Sequence, residues 1–177
     1  MGSGAGKRPG RRGTAAPGAA GTVGADAAAW VAPEGSWASS AGRRRNMQAI
    51  RSRDTSPELA LRSLVHAAGL RYRVGAKPLP GMRRTADLLF RPTRVAVFVD
   101  GCFWHACPEH FVRPKTNPGY WNEKIDRNVR RDRDTDTKLA EAGWLVLRFW
   151  EHEPPAECAA LVVDAVRQRR AKATRRT

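Results

Sequence analysis

The chain has 177 residues, with 32 Lys plus Arg against 17 Asp plus Glu and a formal net charge of +15; its isoelectric point is near 11.2. That length holds one domain with a real core, and that charge points to a polyanionic partner, nucleic acid first. No apolar run of about 18 residues is present, which excludes a membrane-spanning helix, and three cysteines (Cys102, Cys107 and Cys158) are too few for a disulfide framework and fit a reducing compartment.

In chain order, residues 1–42 are Gly, Ala, Pro and Ser with scattered charge and no periodicity, the composition of a disordered basic arm. Lys7, Arg8, Arg11 and Arg12 are followed by small residues rather than a strong apolar stretch. This argues against a secretory signal, and the expected location is cytoplasmic. Folding is expected over residues 43–166, ahead of a basic tail at 167–177. In RDTSPELALRSLVHAAG, Thr55 or Ser56 caps a helix, Pro57 suits its first turn, and Glu58 completes a capping-box pattern with Thr55. Leu61, Val65 and Ala68 share one face, and Gly69 stops the helix.

A short strand is expected over Leu70–Val74, then a KPLPGMRR loop, then strands ADLLF and VAVFV around Arg91–Pro92. An irregular stretch, HFVRPKTNPGY, leads into a long helix from Trp121 to Ala142, with Trp121, Ile125, Val129, Leu139 and Ala142 on its apolar side. Along that helix the charges alternate. Asp126, Asp132, Asp134 and Asp136 are available to pair with Arg127, Arg130, Arg131 and Arg133, which otherwise face solvent or a DNA backbone. WLVLRFW is a strand, and the last helix runs from Pro155 to Arg170. The order predicts an α/β domain, a small central mixed sheet flanked by helices. There is no repeat, P-loop or dinucleotide glycine pattern.

The densest chemistry lies in VFVDGCFWHACPEH, residues 97–110. Cys102, Cys107 and His110 fall within nine positions, and a turn at Pro108 brings them together. One more ligand completes a tetrahedral zinc site. His152, directly after the strand ending FWE, is chosen over Cys158, which sits among Ala159, Ala160 and Leu161 and suits core packing. Four protein ligands make such a zinc structural, with no open position for substrate.

That block, preceded by RRRNMQAIRSRDTSPE and followed by PGYWNEKIDRNVRRDRDTDTKLAEAGWLVLRFWEHE, resembles the very-short-patch repair (Vsr) endonucleases. The resemblance runs from Arg43 to Glu153 in three separated blocks. It implies a restriction-endonuclease-like fold, a structural Zn²⁺ and a Mg²⁺-dependent active site that nicks double-stranded DNA beside the thymine of a T:G mismatch, the lesion left when 5-methylcytosine deaminates. Residue by residue, it places the catalytic aspartate on Asp87, the catalytic histidine on His105 and a helix glutamate on Glu58. The magnesium ligands fall on Asp87 and the Val99 carbonyl, and the zinc ligands on Cys102, Cys107, His110 and His152. The DNA-intercalating wedge falls on Phe103 and Trp104, with Met47 entering from the opposite groove. Ala86 stands before Asp87 where a proline is familiar, and Asp100 stands where the best-known member has a histidine. Asp100 is therefore expected either to share a cation with Asp87 or to orient His105.

These residue types suit phosphodiester hydrolysis. Carboxylate oxygen is the ligand for a hard cation, and imidazole titrates near working pH. Arg43, Arg44, Arg45, Arg51 and Arg53 are expected on DNA phosphates, and aromatic wedges test the base stack at a weakened step. The expected protein is a monomeric DNA-repair endonuclease with mismatch-repair proteins as partners. The competing readings are a restriction-type nuclease without mismatch preference and a zinc-stabilised DNA-binding module without catalysis.

Overall fold

The computed structural model describes residues 40–42, 45 and 53–175. The expected arm over residues 1–42 lies almost entirely outside the described residues, as do Met47, Arg43, Arg44 and Arg51. The elements run α1 (Ser56–Ala67), β1 (Arg73–Ala76), β2 (Ala86–Phe90), β3 (Val95–Asp100), α2 (Pro118–Glu141), β4 (Leu145–Trp150) and α3 (Pro155–Thr174).

The sheet has the order β1-β2-β3-β4. β1 and β3 both pair antiparallel with β2, and β4 pairs parallel with β3 from Val95↔Leu145 to Asp100↔Trp150. The sheet is therefore mixed, and α2 makes the crossover that a parallel pair requires. Alternation along the strands feeds two cores. On one face Leu88, Phe90, Val95, Val97 and Phe149 meet Leu61 and Val65 of α1 and Cys158, Val162 and Val166 of α3. On the other, Leu89, Ala96 and Phe98 meet Leu139 and Trp144, with Leu79 and Met82 of the KPLPGMRR loop folded in beside them. Burying Leu61 and Val65 contributes roughly 1.5–3 kcal/mol each, and that packing fixes the helix from which Glu58 projects. Among the described residues, no helix is long and apolar enough to cross a membrane.

Three local expectations change. The capping box at Thr55 does not close: the Thr55 side chain makes no cap hydrogen bond. Instead its hydroxyl donates to Glu58 Oε1 at 3.0 Å, and Glu58 Oε2 accepts from the Asp54 backbone N–H at 3.1 Å. Arg62, one turn on, competes for the same carboxylate and pulls it across the helix face. The first strand starts at Arg73 rather than Leu70, because Leu70 is spent closing α1, its N–H donating to the Val65 carbonyl. The last helix runs on to Thr174. From it Arg169 Nη1 donates to the carbonyls of Thr93, Arg94 and Gly143 at 3.2, 3.2 and 2.9 Å, tying two sheet turns together.

Candidate active site and metal centre

β3 ends at Asp100, and the chain coils at once. The N–H groups of Trp104 and His105 both donate to the Gly101 carbonyl at 3.1 Å, Cys107 N–H donates to the Cys102 carbonyl at 3.0 Å, and Phe111 N–H donates to the Cys107 carbonyl at 3.0 Å. Ala106 takes a left-handed φ of 55°, the reversal that returns Cys107 towards Cys102. The parallel register does the rest. Asp100 lies opposite Trp150, so Cys102 and His152 each sit two residues beyond paired strand ends. Glu151 Oε1 locks the junction by accepting from the Cys102 N–H at 2.7 Å.

The ligand atoms of Cys102, Cys107, His110 and His152 all lie within 4.8 Å of one another. Cys102 Sγ is 3.1 Å from His152 Nδ1, Cys107 Sγ is 3.8 Å from both His110 Nδ1 and His152 Nδ1, and the two Nδ1 atoms are 3.2 Å apart. Tetrahedral zinc with ordinary Zn–S and Zn–N bonds needs ligand separations of roughly 3.3–3.8 Å, so the donor set and its spacing fit that ion. Burial, with the Cys107 thiol and Glu151 beside it, pushes the Cys102 thiol up to about 11; a divalent cation reverses that balance. Cys158 lies elsewhere, in the core between α1, α3 and the sheet.

The second cluster gathers at the end of the sheet where β2 starts and β3 and β4 stop, with Asp100, His105, Asp132 and Arg148 meeting α2 and Glu58 coming from α1. Asp87, at the start of β2, accepts from the Val99 backbone N–H at 2.8 Å through Oδ2. Burial, partly offset by that bond and reinforced by the charges of Glu58 and Asp100, raises its pKa to about 6. Glu58 itself is only 4% exposed. Its Oε2 accepts from Arg62 Nη2 at 2.8 Å, and Arg62 also pairs with Asp54. Both oxygens of Asp100 accept from Arg148 Nη1, at 2.8 and 2.6 Å. Burial pushes the Asp100 carboxyl up, against the pull of Arg148 and His105.

His105 Nδ1 is 2.6 Å from Asp132 Oδ2 and 3.6 Å from Asp100 Oδ1. An N–H makes one good bond, so the Asp132 contact governs the ring. Burial disfavours the imidazolium, but the two aspartates outweigh it and the His105 pKa is raised. Burial also works against the Asp132 charge, yet His105 and Arg148 together hold its pKa below the usual carboxylate value. Asp132 is therefore a charged acceptor, and His105 presents Nε2 away from it. Arg148 completes the arrangement through Nε to both oxygens of Asp136 at 3.0 Å, stacking over Phe98 at 4.7 Å from the ring centroid. His105, Asp100, Asp132, Asp136 and Arg148 line a cavity of about 190 Å³.

Phe103 and Trp104, both half-buried, pack edge-on at 5.1 Å between centroids and extend to Trp121 at 5.3 and 6.0 Å. Lys124 Nζ sits 5.1 Å from the Trp104 ring, and Asn128 Nδ2 donates to the Trp104 carbonyl at 3.0 Å. Arg45 and Arg53 are exposed. The structure thus brings the expected metal and proton-transfer residues into two adjoining groups, with the aromatic pair hinged between them.

Reading the sequence overlooked Arg62 and Arg148, and left Asp132 and Asp136 to pair with helix arginines. Two signals were present. Arg148 is the lone charge in the apolar strand LVLRFW. On α2, the inward stripe from Trp121 and Ile125 to Leu139 passes through Asn128, Asp132 and Asp136, so it turns polar without turning outward.

Carboxylates converging at the end of a small mixed sheet, beside a His–Asp pair on a strongly basic chain, are the equipment of a phosphodiester-cleaving enzyme. Known proteins give the particular family. The model described as DNA mismatch endonuclease Vsr matches residues 38–109. The type II nicking enzyme V.NaeI of Lentzea aerocolonigenes is 49% identical over 128 residues, 71% of this chain and 77% of the relative. V.XorIIP, a type II nicking enzyme of Xanthomonas oryzae pv. oryzae, is 44% identical over 115 residues, 63% of this chain and 80% of the relative. The DNA mismatch endonuclease Vsr of Escherichia coli (strain K12) is 42% identical over 110 residues, 62% and 69% of the two chains. The chain belongs to the Vsr family of DNA mismatch endonucleases, and its activity is of the nuclease type.

Proposed function

We propose that the protein is a Mg²⁺-dependent endonuclease of restriction-endonuclease-like fold that nicks the thymine strand of duplex DNA at a T:G mismatch. The observation that carries this reading is Asp87: a half-buried carboxylate fixed by the Val99 N–H, raised to about 6 by burial with Glu58 and Asp100 behind it. Such a group gains most from a bound cation. Asp87 and the Val99 carbonyl would hold magnesium, which when bound supplies Lewis acidity to the phosphodiester. Glu58, anchored by Arg62, orients water beside Asp87. His105 passes a proton through Nε2 while Asp132 fixes its other nitrogen. Asp100 belongs to the His105 side of the site, because Arg148 occupies both its oxygens.

Cys102, Cys107, His110 and His152 would hold a structural zinc, which would tie the Gly101–His110 coil to the end of β4. Phe103 and Trp104 on that coil, with Met47 from the other side, probe the base stack, where a mismatched step opens at lower cost. The exposed arginines, including Arg45 and Arg53, hold phosphates and carry no sequence information.

The test is a nicking assay on matched T:G and T:A duplexes, with magnesium and with chelator. Nicking of the T:G thymine strand alone, only with magnesium, is the expected result. Equal cleavage of both duplexes makes the protein a nuclease without mismatch preference. Binding without cleavage makes it a DNA-binding module.

A further inference from the structure

A second charged feature lies on the α2 side of the sheet, outside the catalytic cluster. The loop after β1 and the middle of α2 enclose an open cleft of about 750 Å³ lined by Leu79, Pro80, Gly81, Met82, Arg83, Arg84, Arg131 and Lys138. Its floor is apolar and fixed: Leu79 and Met82 pack into the core with Leu139 and Trp144. Its walls are cationic. On α2, Arg131, Asp134 and Lys138 follow at i, i+3 and i+7, one stripe facing the loop. Asp134 holds the two walls together, accepting from Arg84 Nη1 at 2.6 Å and from Lys138 Nζ at 3.0 Å. Those two partners hold the Asp134 carboxyl below its usual pKa. Four cations, Arg83, Arg84, Arg131 and Lys138, thus meet one carboxylate, which leaves a surplus of three positive charges on a rigid surface.

A charge run on a solvated helix pairs within itself and moves freely. Here one aspartate crosslinks loop and helix, which sets Arg84 and Lys138 side by side next to Arg83 and Arg131. Along the chain, the cleft neighbours the catalytic cluster at two points. Arg131 precedes Asp132, which holds His105, and Arg84 lies three residues before Asp87.

We propose that the cleft between the loop at 79–84 and α2 is a second seat for the DNA sugar–phosphate backbone, flanking the point of cleavage. Arg83 and Arg131 face phosphates, and Asp134 sets the spacing of Arg84 and Lys138. The inference rests on the nuclease reading above and adds a binding surface to it. Duplex DNA is the occupant because the surplus is cationic, the cleft is open and elongated by a helix stripe, and backbone contacts of this kind need no base readout.

The experiment measures binding of the full-length protein to a fully paired duplex across a salt series, for the parent, Arg83→Glu, Lys138→Glu and Arg91→Glu. Arg91 lies on the turn after β2, at the end of that strand away from Asp87, and is a control for net charge. Each cleft variant is expected to weaken binding about tenfold and to flatten the log–log salt slope by about one, while Arg91→Glu changes binding less than about twofold. Nicking of the T:G duplex by the parent is scored alongside. Parent-like binding and slope in both cleft variants overturn the proposal, as does an equal loss in Arg91→Glu, which would reduce the cleft to bulk charge. A parent that binds duplex but fails to nick it overturns the nuclease reading alone, and the cleft is still decided by the salt slopes. A parent that does not bind duplex overturns both.

Discussion

The coil from Gly101 to His110 gives three residues to the Cys/His group and His105 to the carboxylate group, yet the two groups solve the problem of buried polar chemistry in opposite ways. Around Cys102, Cys107, His110 and His152 the donors converge on one another, with ligand atoms as close as 3.1 Å. Glu109 approaches His152 only from outside, at 3.6 Å. Two thiols and two imidazoles facing one another in this way are a donor set that a metal ion suits. In the carboxylate group the protein supplies its own cations. Arg148 serves Asp100, Asp132 and Asp136, and Arg62 serves Asp54 and Glu58. Among the described residues, Asp87 is hydrogen-bonded by a backbone N–H and has no direct ion pair. One group thus has the donors for a metal and a backbone coil to present them, whereas the other is held by guanidinium groups that leave Asp87 aside.

The largest expected effect follows from removing the metal-dependent shape. His152→Ala should lose zinc by elemental analysis and lower the melting temperature, since structural zinc contributes folding energy directly. Cys158→Ala should keep about one zinc per chain. Zinc loss in the Cys158 variant and retention in the His152 variant would exchange their roles.

A smaller loss is expected on the self-neutralised side. Arg148→Met strands Asp100 and Asp132, and breaking a buried ion pair costs about 3–5 kcal/mol when burial is complete. With Arg148 21% exposed, solvent screening brings the expected loss to about 1–3 kcal/mol, read by urea unfolding. Magnesium and zinc should not restore it. Full stability in that variant would mean the carboxylates do not need the guanidinium.

The smallest is a shift rather than a loss. Asp132→Asn removes the negative charge that helps to raise the His105 pKa. The His-linked limb of the nicking rate profile should move to lower pH, as the imidazolium loses its anionic partner. An unmoved limb would assign that titration to another group.

Much of the scaffold was legible in the sequence because it is local. Thr55–Ser56–Pro57, the run VAVFVD and the stop at Gly143 each announce an element by neighbouring residues. All four residues of the Cys/His group were named from the sequence, on unequal grounds. Cys102, Cys107 and His110 lie within one coil, whereas His152 comes into reach only through the parallel β3–β4 register. The guanidinium network left a local trace in Arg148, the lone charge of its strand, but its partners were not legible, because Arg148 meets Asp100 across 48 positions and no periodicity encodes that contact. Asp132 and Asp136 had helical neighbours of opposite sign close by, and tertiary partners won because they are better shielded from water.

The central claim is that Asp87 is the one carboxylate left for a cation, and a single variant tests it. A carboxyl whose folded pKa is near 6, against an unfolded value of 3.8, binds more protons folded than unfolded between those values. Stability therefore falls as pH rises through that window. At pH 7.5 the charged Asp87 works against the fold, so Asp87→Asn should raise stability by about 1–2 kcal/mol after discounting for partial exposure. The same variant should lose nicking by more than about a hundredfold and should no longer be stabilised by added magnesium. The measurement is thermal unfolding of parent and Asp87→Asn at pH 7.5 with and without magnesium. A variant more stable than the parent without magnesium and indifferent to the ion is the predicted result; a variant less stable than the parent, or still stabilised by magnesium as the parent is, contradicts it.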